Sequence, residues 1–219
     1  EFVGEGVSSL SMDSRLTICN LSVETGAKAG MFYADSVTRE YLSSFGHEIK
    51  VQNSIDPTYP QEYSFDLEDI IPVIAVPPRV DTIRPVHELE GISLDQVFVG
   101  TCTNGRYEDL SRFAAIVRGK KVKVRTIIGP ASREILLLAA RTGVLPDLLA
   151  AGCTILPPGC GPCLGAHMGV IGEGEVCLST SNRNFRNRMG VGGEIYLSSV
   201  ATAAASALRG EISMPGGAT

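Results

Sequence analysis

The chain has no tryptophan, only three histidines among 219 residues, and no apolar run approaching the ~18 residues of a membrane span. The last absence, with no charged-then-apolar leader at the start, argues against a membrane protein. The 19 basic and 24 acidic residues leave a formal charge of −5, a poor basis for binding nucleic acid or an anionic membrane. Disorder is excluded too, because 44% of the residues are hydrophobic and only 20% charged. Six cysteines are too few for a disulfide scaffold of this length, and the expectation is a cytoplasmic protein. The first residue is Glu1 rather than Met, and motif-like residues begin at once, as in a chain cut or truncated upstream.

Context divides the cysteines into two groups. Cys19 falls in the series Met12, Leu16, Cys19, Val23, Ala27, whose steps of three and four predict one buried helix face. Cys153 and Cys177 lie in strand-like runs, where a thiol acts as a small buried hydrophobe. Cys102, Cys160 and Cys163 instead lie among Gly, Pro, Thr and Asn, in loops that can bend around a ligand.

Apolar periodicity places helices at 11–29 and 36–45, the second capped by Asp35 and stopped by Gly46. Val73–Val76 reads as a strand, and the Pro-rich, charged stretch beyond it as a connector, with a boundary near residue 80. From there strands at 96–100, 122–128, 153–156, 176–180 and 194–197 alternate with helices at 107–118, 131–142, 146–151 and 200–208. That rhythm predicts an α/β fold, a three-layer α/β/α domain over residues 80–219 with a mostly parallel sheet. Residues 1–79 read as the trailing part of a preceding α/β domain.

In such sheets ligands bind beyond the carboxyl ends of the strands. Three strand ends here deliver Thr101-Cys102-Thr-Asn-Gly105, then Pro157-Pro-Gly-Cys160-Gly-Pro-Cys163, then Ser181-Asn182-Arg183-Asn-Phe-Arg186-Asn-Arg188. A lone Cys-x-x-Cys is a weak signal, shared by redox pairs and zinc half-sites. A Cys3His zinc site using His167 is open, though it leaves the Arg and Asn side chains without a role. A distant cysteine plus a close pair also suits an iron–sulfur cluster, in which three protein thiolates leave one iron for a substrate. Arg183 and Arg188 would then clamp carboxylates, a site for a small hydroxy di- or tricarboxylic acid. Arg186 reads as surface.

Val99-Gly-Thr-Cys-Thr-Asn-Gly105, Cys160-Gly-Pro-Cys-Leu-Gly165, Ser181-Asn-Arg-Asn-Phe185 and the Ala-rich 201–206 segment together resemble the aconitase superfamily. The closest likeness is to its 3-isopropylmalate dehydratase large-subunit and homoaconitase-like archaeal branch. Glu1-Phe-Val-Gly-Glu-Gly6 and Thr17-Ile-Cys-Asn-Leu21 look like the middle of such a subunit. The resemblance implies a [4Fe–4S] cluster on Cys102, Cys160 and Cys163, with substrate carboxylates on Arg183 and Arg188. It also implies that Asn182 stands beside the cluster and Glu1 near the substrate hydroxyl. Leu164-Gly-Ala-His167 departs from the Ile-Gly-Gln-Trp of true aconitases, which favours the dehydratase branch and leaves His167 without a role.

The implied reaction is dehydration and rehydration of a hydroxy acid, most simply 2-isopropylmalate to 3-isopropylmalate in leucine biosynthesis, with homocitrate or citrate as alternative substrates. Nothing in the Cys, Arg and Asn cluster suits the carbon-proton base. The resemblance assigns that base, and the specificity loop, to a separate small subunit. A Thr-Asp-Ser-His motif belongs to the N-terminal remainder of the large subunit and is absent here. Two readings of other classes stand beside the enzyme: a zinc-stabilised binding module, and an iron–sulfur sensor or electron carrier.

Overall fold

A computed structural model describes residues 1–48, 50 and 58–216. The chain divides into two units, Glu1–Ile70 and Ile71–Thr219.

The first unit carries helices α1 (Met12–Ser22) and α2 (Ser36–Ser44), with an isolated parallel bridge between Phe2 and Phe32. Both helices start at a side-chain cap, Ser11 accepting from the Ser14 amide and Asp35 from the Thr38 amide. Helix α1 ends at Ser22 and passes into a 3₁₀ turn, Val23–Thr25, closed by Gly26, so it is shorter than the apolar pattern predicts. Its buried residues are also not the expected stripe. Leu16 and Cys19 are half-buried and Val23 is exposed, whereas Arg15 is 1% exposed.

That burial is possible because the guanidinium is saturated. It forms a bidentate pair with Asp35 at 2.8 and 2.7 Å, donates to Val7 O and Leu10 O, reaches Thr38 Oγ1 and lies over the Phe32 ring. Arg15 beside it, by hydrogen bond above all, holds the Asp35 carboxyl well below the usual carboxylate range.

The second unit is a seven-stranded sheet. Its strands are β1 (Val73–Ala75), β2 (Ile83–Pro85), β3 (Gln96–Gly100), β4 (Arg125–Gly129), β5 (Thr154–Ile155), β6 (Val176–Ser179) and β7 (Glu194–Leu197). They lie in the order β2-β1-β7-β6-β3-β4-β5. The five strands from β7 to β5 are parallel, and β1 runs antiparallel to both its neighbours. The segment 73–85, expected to end one domain and link it to the next, thus adds two edge strands to this sheet. Strand β4 begins at Arg125, later than the sequence suggests.

Every residue of β3 is buried, as a strand covered on both faces requires. Val97 and Val99 face a cluster with Ile128 and Leu178, while Phe98 faces a second with Ile127 and Cys177. The register Phe98↔Ile127 and Val99↔Ile128 keeps each pair on one face.

The first cluster packs under the helices α4 (Tyr107–Val117), α5 (Arg133–Arg141), α6 (Val144–Ala151) and α7 (Val200–Arg209). They follow α3, a single turn at Thr101–Asn104 in a stretch expected to be loop. The second cluster is closed by Leu156, Cys163, Ile171 and Met189, from the segments after β5 and β6. Among the described residues this second cover is built of loops and a 3₁₀ turn rather than long helices. The loops that carry the candidate site are therefore also the lid of half the core.

Candidate functional site

Because β3, β5 and β6 are parallel, the segments leaving them emerge on one edge of the sheet. Cys102 sits on α3, directly after β3, and is exposed. Two bonds tie this segment to the end of β6: the Gly100 amide donates to Thr180 Oγ1 at 3.2 Å, and Asn104 Nδ2 to Thr180 O at 3.0 Å. Arg106 grips it from the other side, donating to the Thr103 carbonyl at 2.5 Å and to the Cys102 carbonyl. Its position just before α4 gave no sign of that role in the sequence.

Cys160 and Cys163 follow β5 in a 3₁₀ turn, Gly161–Leu164, with the Cys163 amide donating to Cys160 O at 3.0 Å. Cys160 is exposed and Cys163 buried. The turn ends at Gly165 in the left-handed region, φ 77°. A methyl group there would also come 2.9 Å from Arg188 O, so glycine lets this turn press against the segment after β6. Arg188 completes the junction: its Nε donates to Cys163 O at 2.8 Å, and its guanidinium lies 5.2 Å from the Phe185 ring centre. Neither terminal nitrogen of Arg188 is bonded among the described residues.

His167 adopts φ 46°, unusual for a residue with a side chain, and folds its ring back on the cysteine turn. A methyl on Gly161 would lie 3.2 Å from His167 Cε1 and 3.4 Å from Nε2, so the ring fills the space that Gly161 leaves. Asn182 and Arg183, after β6, are half-buried and engaged with neighbouring groups. Glu1 lies in the first unit, where its carboxylate accepts a hydrogen bond from the Tyr59 hydroxyl.

The three segments thus form one bonded rim, with Cys102 tied to β6 and Cys163 to Arg188. The thiols themselves have not converged: among the described residues no group of three His, Cys, Asp or Glu is placed to hold a metal ion. The chemistry of the donor set nevertheless fits an iron–sulfur cluster, since thiolate is the ligand such clusters take and three thiols stand on one rim. None of the six cysteines is in a disulfide.

Cys102 and Cys160, both exposed, are set apart from Cys153 and Cys177 by burial. It pushes the thiols of Cys153 and Cys177 up to about 12. Alkylation with iodoacetamide near neutral pH, mapped by mass spectrometry, is therefore expected to modify Cys102 and Cys160 first. Cys153 and Cys177 should stay unmodified until the protein unfolds. Equal labelling of all four would contradict this division.

The model of the aconitase family (aconitate hydratase) matches residues 1–91 and 82–210. The chain belongs to the aconitase family. It is 54% identical over 217 residues to the probable methanogen homoaconitase large subunit of Methanosarcina mazei, a match covering 98% of this chain and 56% of that protein. It is 46% identical to 3-isopropylmalate dehydratase large subunit 2 of Archaeoglobus fulgidus, covering 98% of this chain and 53% of that one. The chain spans about half the length of these relatives. The crystal structure of Thermococcus kodakaraensis aconitase X matches 41% of this chain and 22% of that one, at 21% identity and a TM-score of 0.32. That likeness is too slight to bear on the fold, which rests on the sheet topology. No described helix of this aconitase-family chain is long and apolar enough to cross a membrane.

Proposed function

We propose that this chain is the cluster-binding part of a cytoplasmic hydro-lyase that moves a hydroxyl along a small hydroxy di- or tricarboxylic acid. The observation that carries the reading is the bonded rim: three cysteine thiols, with Arg188 joined to Cys163 through Nε and its terminal nitrogens open. In this reading Cys102, Cys160 and Cys163 hold a [4Fe–4S] cluster. When bound, the cluster supplies a Lewis-acidic iron for the substrate hydroxyl.

The residues of this chain do the rest of the binding work. Arg183 and Arg188 pair with substrate carboxylates, because a guanidinium matches a carboxylate with two parallel hydrogen bonds. Arg188 is pre-oriented for this by its bond to Cys163 O and its stacking on Phe185. Asn182 donates beside the cluster, and the Glu1 carboxylate exchanges a proton at the substrate hydroxyl as water leaves and returns. The base for the carbon-bound proton, with the specificity loop, comes from a small subunit, and the N-terminal remainder of a large subunit completes the enzyme.

The substrate favoured is 2-isopropylmalate, converted to 3-isopropylmalate in leucine biosynthesis. The 54% identity to a protein named as a homoaconitase large subunit favours homocitrate as the second reading. Electron paramagnetic resonance of the anaerobically reconstituted protein with its small subunit tests both. Added substrate is expected to change the cluster signal, and Arg183→Gln or Arg188→Gln to raise the concentration needed by about ten- to a hundredfold. A signal indifferent to every hydroxy acid would leave an electron carrier or sensor in place of the enzyme. A colourless protein holding stoichiometric zinc would favour the binding module.

A further inference from the structure

Helix α5 is apolar on both sides. Inward, Ala139 lies within the first core cluster and Ile135 packs against it. Outward, Leu137 is 48% and Leu138 43% exposed, and Leu149 is exposed on α6, the helix packed beside α5. Single exposed leucines need no explanation, but two at the centre of one helix face, with a third on the neighbouring helix, mark a surface that another apolar surface would cover. This face lies on the helix-covered side of the sheet, whereas Cys163 belongs to the cluster on the other side, so it is separate from the cysteine rim.

The charges that frame the leucines show what that surface is. With successive residues turned by about 100°, Glu134, Leu137, Leu138 and Arg141 share one sector of about 100° on the helix circumference. Glu134 and Arg141 stand about 10.5 Å apart along the axis, one on either side of the leucine pair. Both are exposed, and neither enters an ion pair among the described residues. The Glu134 backbone amide and the Ser132 hydroxyl hold the Glu134 carboxyl below the usual range, so it carries its charge at neutral pH.

These four positions are symmetric about the point between Leu137 and Leu138, and their charges are opposite, so the face is its own complement. We infer that α5 is the centre of a two-fold interface with a second copy of this chain, the two α5 helices packed antiparallel. A two-fold axis through that point sets Glu134 against Arg141 of the second copy, and Leu137 against Leu138 of the second copy, each contact occurring twice. A parallel pairing would instead set Glu134 against Glu134 and Arg141 against Arg141. The antiparallel register therefore follows from the charges, and the leucines supply the apolar contact. With only nine residues in α5, the interface is small and the dimer weak and reversible. It stands whether or not the rim holds a cluster.

Sedimentation equilibrium of the 219-residue chain tests this by charge exchange. The wild type is expected to dimerise at or below about 100 µM, a weak association in keeping with a small interface. Glu134→Arg alone sets Arg against Arg at both contacts, and Arg141→Glu alone sets Glu against Glu. Each should weaken the dimer about tenfold or more, as should Leu137→Ser. An equimolar mixture of Glu134→Arg and Arg141→Glu restores opposite charges at both contacts, so it should form a heterodimer at the wild-type concentration. The substituted side chains are exposed, and the amide chemical shifts of β3 and β4 check that each variant keeps its fold. A wild type still monomeric at ten times that concentration would leave this face to a different polypeptide and overturn the proposal. A dimer indifferent to the single substitutions, or one that the mixture does not restore, overturns it too.

Discussion

Arg15→Ala is expected to destabilise the Glu1–Ile70 unit by about 3 kcal/mol, the lower end for breaking one side of a buried ion pair. Asp35 is 34% exposed, so water partly rescues the abandoned carboxylate, which places the loss at that lower end. Most of the damage lies in what the guanidinium leaves behind. The Leu10 carbonyl loses its donor, the Val7 carbonyl keeps only the Leu10 amide, and the space between α1 and α2 loses its largest buried side chain.

Because the chain has two units, the measurement must be local. Hydrogen exchange at the Arg15 and Arg39 amides, in the first turns of the two helices, should accelerate about a hundredfold or more. Amides of β3 and β4 should be unaffected. The pair also sets an acid limit. The folded Asp35 carboxyl titrates below its unfolded value of ~3.9, so its contribution is complete above about pH 5 and is lost as pH falls through the folded value. In Arg15→Ala that acid dependence should largely disappear. Unchanged exchange in the variant would mean that the pair is not what holds the unit together.

Arg15 also marks where reading the sequence stops. Apolar spacing identifies α1 as a helix, but a charged residue in such a pattern reads as solvent-facing. Its burial depends on Asp35, twenty residues away, and on carbonyls that only the folded chain aims at it. The parallel sheet was far more legible. Val97–Gly100 is covered on both faces and reads as a continuous apolar run, and the helices between strands carry their own periodicity and glycine stops. Strand β2 was missed because three residues ending in proline, at the sheet edge, carry almost no pattern.

Of the candidate site, the rim was legible and its bracing was not. Strand ends predict that Cys102, Cys160 and the 181–188 segment share an edge. Nothing in the spacing predicts that Arg188 bonds Cys163 O, that Arg106 holds the Cys102 segment, or that His167 turns back on Gly161. Arg186, read as surface, is exposed.

The central claim is that three of the six thiols act together and the others do not. Replacing any one of Cys102, Cys160 or Cys163 by serine is therefore expected to abolish stable iron–sulfur incorporation, since losing one of three thiolates leaves a cluster with two protein anchors. Cys153→Ser and Cys177→Ser should change incorporation little. Their thiols are packed in the core, where burial holds them protonated, so the cost of those substitutions appears in stability alone.

Anaerobic reconstitution with iron and sulfide, followed by iron analysis and by the thiolate-to-iron absorbance near ~400 nm, decides the matter in one series of proteins. The account predicts a coloured wild-type protein, colourless Cys102→Ser, Cys160→Ser and Cys163→Ser variants, and coloured Cys153→Ser and Cys177→Ser variants. A wild-type protein that takes up no cluster, or a Cys102→Ser variant that colours as fully as the wild type, would contradict it.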